Sequence, residues 1–593
     1  MFYLFRIFYS LLPLHNPIGF GAADFLELAM ALLLVAGSVW WQRSAAAVNR
    51  LAWRTGWCMA LLAVAPVALR LAMLHTSPIP TPLGADDFSY LLLGDTLAHF
   101  RLTNATHPMH RFFETLFVLQ EPSYSSIYPL GPGLALAFGQ LIFRLPWAGI
   151  AVATGAFTAL VYWMLRAWTK PAWALAGGAL AVIQFGPLNH WMNTYWGGSL
   201  AAAAGCLVFG AMPRLKQRWR TRDALLLGAG LAIHVLTRPF ESILLLVCVA
   251  IFFARELASA RFWRAVAIAS AVVLPALALI ALHNHRATGN WATLPYAECR
   301  YEYGVPSTFT FQPNPVPHRE LTREQKISYD VQSFVHGEGT EHWAHYWPRV
   351  LQRIRFYRFF FLPPLILGLP VFLLRLRDPR MRYVVGALLT FFFGTTVYGY
   401  FYAHYIACAA CLFLLATVAS LEKLGEIAGW PAVRVILFLT FGHFVFWYGV
   451  QLSSNQEFAK SLEPYESWDE VNHGDPDGRL AVNRELAAQP GKQLVFVRYG
   501  PAHQLTEWVY NTAEIDRQTV VFARDLGPEE NPALLAYYPD RTPWVLEPDA
   551  TPPHLFRYER PQEPGPAAAP ALPQSSTPGA PPKKRTLHFE EVK

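Results

Sequence analysis

Apolar residues along this chain occur in long, nearly unbroken runs that are separated by short polar segments. The runs are of helical length and lack the two-residue alternation of a half-buried strand, which is typical of helices that cross a bilayer. Several are shorter than the ~20 residues of a straight crossing, so we expect tilted or broken helices among them. The pattern predicts a polytopic α-helical membrane protein with about twelve spans, at 24–41, 54–75, 147–166, 172–188, 197–212, 223–237, 241–255, 265–282, 356–374, 384–401, 404–420 and 432–450.

Two longer polar segments interrupt these runs, at 76–146 and 283–350. We call them the first and second outer segments, because the charge distribution described below predicts that both lie outside. The pattern of the first predicts two short amphipathic helices, at about 88–100 and 109–119. An apolar stretch then ends at Arg144, and because it is too short to span comfortably we expect it to lie on the outer surface. The second outer segment is rich in Pro, His and aromatic residues and has the size of a lid over the bundle.

Beyond residue 451 short apolar strands alternate with helical patterns, which is typical of a small parallel α/β domain. No glycine-rich loop follows either early strand, so nothing there indicates a nucleotide site. The chain thus divides into a transmembrane part (1–450), this domain (451–560) and a Pro- and Ala-rich tail (561–593) that we expect to be disordered. The predicted elements of the domain are helices near 478–488, 504–511 and 531–537 and strands at 493–498, 519–523 and 542–546.

The distribution of charge predicts the orientation. The 593 residues are 53% hydrophobic and 15% charged, with a formal net charge of +7. Lys and Arg collect in alternate loops, such as 214–222 and 375–382, and loops of this kind stay in the cytoplasm. Both outer segments and everything after 451 are therefore predicted to lie outside, and the positive charge does not indicate nucleic-acid binding. The apolar N-terminus, Phe2 to Phe20, is left open between an interfacial helix and a thirteenth span.

The first candidate for chemistry is the pair Asp86 and Asp87, near the start of the first outer segment. A carboxylate at the mouth of the bundle avoids the cost of burial at mid-bilayer, about 2.5–3.5 kcal/mol, and still faces a lipid-borne substrate. We therefore predict a catalytic carboxylate. Alternatively, one Asp caps a helix that begins near Phe88, and both roles can coexist because neighbouring residues on a helix point about 100° apart.

A second candidate is Arg238, which lies where Pro239 separates two short predicted spans. An Arg in a membrane protein needs an anionic partner, and we predict the phosphate of a lipid. The alternative is an ion pair with Glu241, three residues further on. His404 opens another span on the same side, where it either binds the phosphate or an acceptor or caps the helix.

Other polar residues on the outer side are candidates for binding substrate. Asn193 and Tyr195 can bind hydroxyl groups, although such residues are also ordinary anchors at a membrane boundary. The remaining substrate-binding candidates are His107, Glu114, Tyr128 and Glu241. The segment around His107 lacks the His-Glu-x-x-His form of a zinc helix, so we predict neither a metal nor a cofactor.

Several of these segments together resemble a known family. They are Asp86-Asp-Phe-Ser-Tyr-Leu-Leu-Leu, Asp95-Thr-Leu-Ala, Thr106-His-Pro-Met, Phe112-Phe-Glu, Tyr124-Ser-Ser-Ile-Tyr-Pro-Leu-Gly, Arg238-Pro-Phe-Glu, Thr288-Gly-Asn, Leu294-Pro-Tyr, Glu507-Trp-Val-Tyr-Asn and Ala523-Arg-Asp. The chain resembles bacterial GT-C class membrane glycosyltransferases, family-39-like, which are related to protein O-mannosyltransferases and the lipid A aminoarabinose transferase. The likeness extends over nearly all of the chain except its N-terminus and tail.

The resemblance implies a GT-C-like fold in a bacterial inner membrane, with the active site and C-terminal domain facing the periplasm or exterior. It also implies transfer from a polyprenyl-phosphate sugar to a lipid, glycan or protein acceptor, with Asp86 matching the first residue of the family's Asp-Glu motif. The chain departs from the family at three positions. Asp87 replaces the Glu, and Ile127 and Leu130 replace a Lys and a second Pro.

Two other functions are compatible with the same residues. In a transporter or flippase of lipid-linked glycans, Arg238 and the acidic pair would bind cargo without chemistry. Against this, no inverted repeat is evident, and the acidic pair lies in an outer segment and not at mid-membrane. A non-catalytic membrane scaffold, recruiting a partner through the C-terminal domain, is the other alternative.

Overall fold

The computed structural model describes residues 22–40, 44–82, 84–339, 342–453, 478–503 and 506–559. The predictions for Phe2 to Phe20 and for the tail 561–593 fall outside these residues. The helices are α1 Ala22–Trp40, α2 Ser44–Ala52, α3 Thr55–Ala72, α4 Ala85–Ala98, α5 Leu130–Phe143, α6 Pro146–Leu165, α7 Pro171–Phe185, α8 Ser199–Arg218, α9 Thr221–Thr237, α10 Glu241–Phe253, α11 Ala260–Thr288, α12 Pro295–Tyr303, α13 Arg323–His336, α14 Trp343–Ile354, α15 Pro363–Ile366, α16 Pro379–Thr396, α17 Ala410–Leu452, α18 Arg479–Ala487 and α19 Asn531–Tyr537. The strands are β1 Val118–Leu119, β2 Ser125–Ser126, β3 Lys492–Val497, β4 Val520–Arg524, β5 Arg541–Glu547 and β6 His554–Arg557.

The chain is mostly helical, as its apolar runs predict, and it is a multi-pass membrane protein. Within the described residues, four helical stretches are long and apolar enough to cross a membrane: α3, α6, α11 and the run Ala403–Leu452. The last of these contains two helices, because Gly429 adopts a non-helical conformation with φ of 79°. A break at this position agrees with the separate spans expected at 404–420 and 432–450, while the total of about twelve stays a prediction.

The span predicted at 356–374 is wrong as a continuous helix. Two 3-10 helices, Arg355–Phe360 and Leu369–Arg377, flank the single turn α15. Prolines at positions 363, 364 and 370 explain the breaks, because each lacks the backbone N–H that a helix interior needs.

Helix α5 packs tightly between neighbouring helices through glycines on two of its sides. A Cβ on Gly133 would lie 2.4 Å from Cγ of Leu93, and one on Gly131 would lie 2.4 Å from Oγ1 of Thr237 and 3.0 Å from the carbonyl group of Leu236. Exposed apolar side chains, including Leu141 and Ile142, lie at the C-terminal end of the helix. The helix predicted to lie on the surface is therefore anchored in the bundle through its small residues.

We expect Gly131→Ala to destabilise the protein by about 1–3 kcal/mol, because the added methyl group overpacks a contact with backbone atoms. The measurement is the midpoint of thermal unfolding of the purified protein in detergent. Gly386→Ala is the matched control, since a Cβ there meets nothing within 4 Å inside a helix. Equal midpoints for both variants would contradict the packing described for α5.

The first outer segment contains one of its two predicted helices. Helix α4 occupies most of 88–100, but 109–119 forms only a 3-10 turn, His110–Phe113, followed by extended chain. Phe117 has φ of 60°, in the left-handed region, which a continuing α-helix cannot accommodate. Strand β1 then pairs antiparallel with β2.

The C-terminal strands form one sheet in the order β4-β3-β5-β6. Strand β3 pairs in parallel with β4 and β5, as predicted, while β6 adds an antiparallel edge that the sequence reasoning missed. The helix predicted at 504–511 is wrong, because residues 507–511 are not helical. Instead of forming helical bonds, the backbone N–H groups of Trp508 and Val509 donate to the Tyr499 hydroxyl and the Glu507 carboxylate.

One face of this sheet packs directly on the first outer segment. Leu494 and Phe496 of β3 share a core with Leu92 of α4 and with Phe113. The backbone N–H of Ala513 donates to the Asp95 carboxylate over 2.7 Å. Helix α4 is thus held from outside the bundle by residues late in the chain.

Candidate active site

A cavity of about 460 Å³ lies where the first outer segment meets the bundle. Helices α12 and α13 of the second outer segment also contribute to its wall. We call this space the central cavity. Its polar and aromatic lining residues include Asp86, Tyr90, Tyr128, Arg238, Glu241, His283, Asn284, Tyr296, Gln332, Tyr400, Tyr402, His404 and Tyr405.

Asp86 projects into the central cavity from the first turn of α4. Gly84 takes the N-cap position of this helix, so the predicted capping by an Asp is wrong. The Tyr128 hydroxyl donates a hydrogen bond to Oδ1 of Asp86. Burial raises the pKa of Asp86, while the Tyr128 bond and the positive charge of Arg238 act in the opposite direction.

Tyr128 is held by contacts on two sides. Its ring stacks on Tyr90 with a centroid separation of 4.1 Å, and its backbone N–H donates to Oγ of Ser126. The Ser126 hydroxyl in turn lies 2.8 Å from that of Ser89 in α4. Burial raises the pKa of Tyr128 well above its usual value, so the phenol stays protonated and donates to the carboxylate.

Asp87 has a different place from its neighbour. It is buried, it does not line the central cavity, and its Oδ1 accepts the backbone N–H of Tyr195 over 3.0 Å. The Tyr195 hydroxyl donates to the carbonyl of Pro80, and the Asn193 amide donates to two backbone carbonyls, those of Pro187 and Asn189. Asp87, Asn193 and Tyr195 therefore brace the loops beneath the cavity and do not line it.

Arg238 lies in the turn between α9 and α10, and its guanidinium stacks over the Tyr405 ring at 4.8 Å. Among the described residues, no carboxylate oxygen lies within ion-pair distance, 4.0 Å, of this guanidinium, so the alternative pairing with Glu241 is wrong. Asp86 and Glu241 still contribute to its electrostatic environment. The result is a cationic group at the wall of a cavity that also contains a carboxylate.

His404 lies in a 3-10 segment, Ala403–Ala409, and lines the same cavity. Its ring meets the rings of Trp196 and Tyr405 edge to face, each at 4.7 Å. The cavity thus brings together Tyr128 and four further predicted site residues from distant parts of the chain, five in all. The four are Asp86, Arg238, Glu241 and His404.

His107 and Glu114 do not line the central cavity. His107 lies 3.0 Å from the Asp516 carboxylate, and therefore joins the first outer segment to the 3-10 turn Ile515–Arg517. Glu114 lies 2.8 Å from Arg319 and accepts a hydrogen bond from the Tyr303 hydroxyl. Burial raises the pKa of Glu114 although Arg319 opposes that shift. Both residues thus hold the first outer segment to other parts of the chain.

The sequence reasoning missed two buried polar residues of the cavity, His283 and Asn284, at the end of α11. The available signal was a pair of adjacent polar residues directly after an apolar span. Tyr296 was also missed, and burial raises its pKa to about 12. The described residues contain no group of three or more His, Cys, Asp or Glu side chains arranged to hold a metal ion.

The helices, the hydropathy and the cavity define a polytopic helical membrane protein. No family model and no curated protein matches the chain. Among solved structures, it is similar to ArnT from Cupriavidus metallidurans bound to undecaprenyl phosphate, with a TM-score of 0.45, 13% identity, and coverage of 83% of this chain and 93% of that chain.

The Archaeoglobus fulgidus oligosaccharyltransferase in its apo form is a second similar structure. The TM-score is 0.41 and the identity 11%, with coverage of 77% of this chain and 63% of that one. The chain thus spans less than two thirds of the oligosaccharyltransferase. Both TM-scores are below 0.5, so the likeness carries no argument about function.

Proposed function

We propose that this protein is a GT-C class glycosyltransferase that moves a sugar from a polyprenyl-phosphate donor to an acceptor hydroxyl. The observation that carries the proposal is that Asp86 and Arg238 line one cavity. Such a cavity offers a base for a hydroxyl and a cation for a phosphate within the reach of one lipid-borne substrate.

Asp86 is the proposed general base. A lipid phosphate is a good leaving group, so the reaction needs activation of the acceptor more than protonation of the leaving oxygen. The carboxylate takes the proton of the acceptor hydroxyl, whose oxygen attacks the anomeric carbon as the bond to the phosphate oxygen breaks. A carboxylate has two oxygens with about four lone-pair sites, so the bond from Tyr128 leaves capacity for this proton.

Arg238 is the proposed phosphate ligand, assisted by His404. A guanidinium presents paired N–H donors that match phosphate oxygens and stabilise the charge that develops as the phosphate leaves. Tyr405 supports the guanidinium from one side. If the acceptor attacks opposite the phosphate in one displacement, the anomeric configuration inverts.

The proposed location is a bacterial inner membrane, with the cavity facing the periplasm or exterior. The support is the distribution of Lys and Arg, which predicts that both outer segments lie on the side opposite the basic loops. The acceptor is then a lipid, a glycan or a protein on that side.

The test is release of labelled sugar from a panel of polyprenyl-monophosphate sugars by the purified full-length protein in lipid nanodiscs. We expect the protein to turn over at least one of these donors and none of the matching nucleotide sugars, since a soluble nucleotide lacks the polyprenyl chain. Tight binding of a donor without turnover would overturn the proposal and favour transport of a lipid-linked glycan.

A further inference from the structure

We infer that His283 and Asn284 form the part of the central cavity that recognises an uncharged hydroxyl of the transferred sugar, an inference that rests on the proposed function. Both residues lie at the end of α11 and line the cavity, and they are only 3% and 4% exposed. Among the described residues, Nε2 of His283 and Oδ1 of Asn284 have no hydrogen-bond partner.

Buried polar atoms normally have a partner, because an unpaired donor or acceptor has lost its water without replacement. Here two such atoms belong to adjacent residues on the wall of one cavity. A bound group that supplies both hydrogen bonds would remove this deficit. His283 and Asn284 are therefore better explained as a binding site for a polar ligand than as residues that only pack against their neighbours.

The orientation of Asn284 is fixed by its surroundings. Its Nδ2 donates to the carbonyl of Trp291 over 3.2 Å, which leaves Oδ1 as the acceptor toward a ligand. The end of α11 is also tied to the first outer segment, since the Ser123 hydroxyl donates to the carbonyl of Ala287 over 3.0 Å. The wall is thus held in place before any ligand binds.

The two atoms favour a hydroxyl over a phosphate. Oδ1 of Asn284 can only accept a hydrogen bond, and a phosphate oxygen would repel it. A sugar ring carries several hydroxyls, and a hydroxyl can donate to Oδ1 of Asn284 or accept from an imidazole N–H. Because Arg238 already offers the cationic contact for the phosphate, the hydroxyl belongs to the sugar ring that is attached to it.

The first experiment measures binding and does not require turnover. Affinities of the wild-type protein and Asn284→Leu are compared for a polyprenyl-phosphate sugar and for the bare polyprenyl phosphate, in nanodiscs. We expect Asn284→Leu to weaken binding of the sugar-bearing lipid about tenfold, the effect of one neutral hydrogen bond, and to leave the bare lipid unchanged. An equal loss for both lipids would overturn the inference.

A second set of variants separates recognition from general damage to the helix. His283→Phe should weaken binding of the sugar-bearing lipid, whereas His285→Phe, two residues further on, should have no effect, because His285 does not line the cavity and Phe retains its ring stacking on Trp291. Donors that each lack one hydroxyl identify the hydroxyl that is recognised. One of these deoxy donors should bind the wild-type protein as weakly as the complete donor binds Asn284→Leu.

The two proposals fail in different ways. If the sugar-bearing lipid shows the predicted loss in Asn284→Leu but is never turned over, the site for the hydroxyl stands and the transferase does not. If donors are turned over but no deoxy donor is penalised, the transferase stands and the inference is overturned. A third outcome concerns the acceptor. If removing hydroxyls from the acceptor affects wild type and Asn284→Leu differently, and removing them from the donor does not, His283 and Asn284 recognise the acceptor and the assignment to the sugar is wrong.

Discussion

Asp86→Asn is expected to lower kcat for sugar transfer by about 10²–10⁴, the usual contribution of a general base. The amide retains the size of the carboxylate and can still accept from Tyr128, but it cannot take the proton of the acceptor. Asp87→Asn should retain kcat within a few-fold, because Asp87 lies outside the cavity and its Oδ1 binds a backbone N–H. The measurement is initial-rate kinetics with the best donor from the panel.

The pH dependence tests the same assignment. Burial raises the pKa of Asp86, so the fall of kcat/KM toward acid pH should begin above the ordinary carboxyl pKa of about 3.9. Because the folded protein binds this proton more tightly than the unfolded chain, Asp86 lowers the free energy of unfolding as the pH rises through its folded pKa. Asp86→Asn should therefore be no less thermally stable than wild type at neutral pH, while Asp87→Ala should be less stable.

Two results would contradict this assignment. One is full transfer activity of Asp86→Asn in a protein that unfolds at the wild-type temperature. The other is a larger loss of kcat in Asp87→Asn than in Asp86→Asn.

Arg238→Leu is the second substitution with a large expected effect, a loss of about 10²–10³ in kcat. Removing one preorganised donor from a developing oxyanion has an effect of this size. Arg238→Lys should restore part of the rate, since it returns the charge without the paired donors that match a phosphate. Donor affinity should weaken in the same order, and both quantities can be measured in nanodiscs.

Arg111→Ala is the control for this series. Arg111 forms a surface ion pair with Glu530 and does not line the cavity, so its loss should leave kcat unchanged. A rate for Arg238→Leu equal to that of Arg111→Ala would show that the guanidinium has no role in the reaction.

Much of the helical architecture could be predicted because apolar runs have a length and period that only helices satisfy in a membrane. Prediction failed where local chemistry competes with that pattern. Three prolines divide 356–374 into short turns, and the side chains of Tyr499 and Glu507 satisfy amides that would otherwise continue a helix at 508–509.

The site was predictable in its residue types but not in its geometry. Asp86 and Asp87 are equivalent in the sequence. Only the structure shows that Asp86 lines the cavity, whereas Asp87 accepts a hydrogen bond from the backbone N–H of Tyr195. His107 and Glu114 have the chemistry of site residues, yet their partners come from segments hundreds of positions away. No local pattern contains that information.

The packing of the C-terminal sheet on α4 has a consequence for biogenesis. The bond from Ala513 to Asp95 joins residues 418 positions apart, and a chain is synthesised from its N-terminus. During synthesis, α4 therefore lacks this packing partner until the final strands have been made. Helix α4, which carries Asp86, consequently acquires its full set of contacts only when the C-terminal sheet has folded, so a chain truncated before Lys492 should insert with this helix incompletely packed.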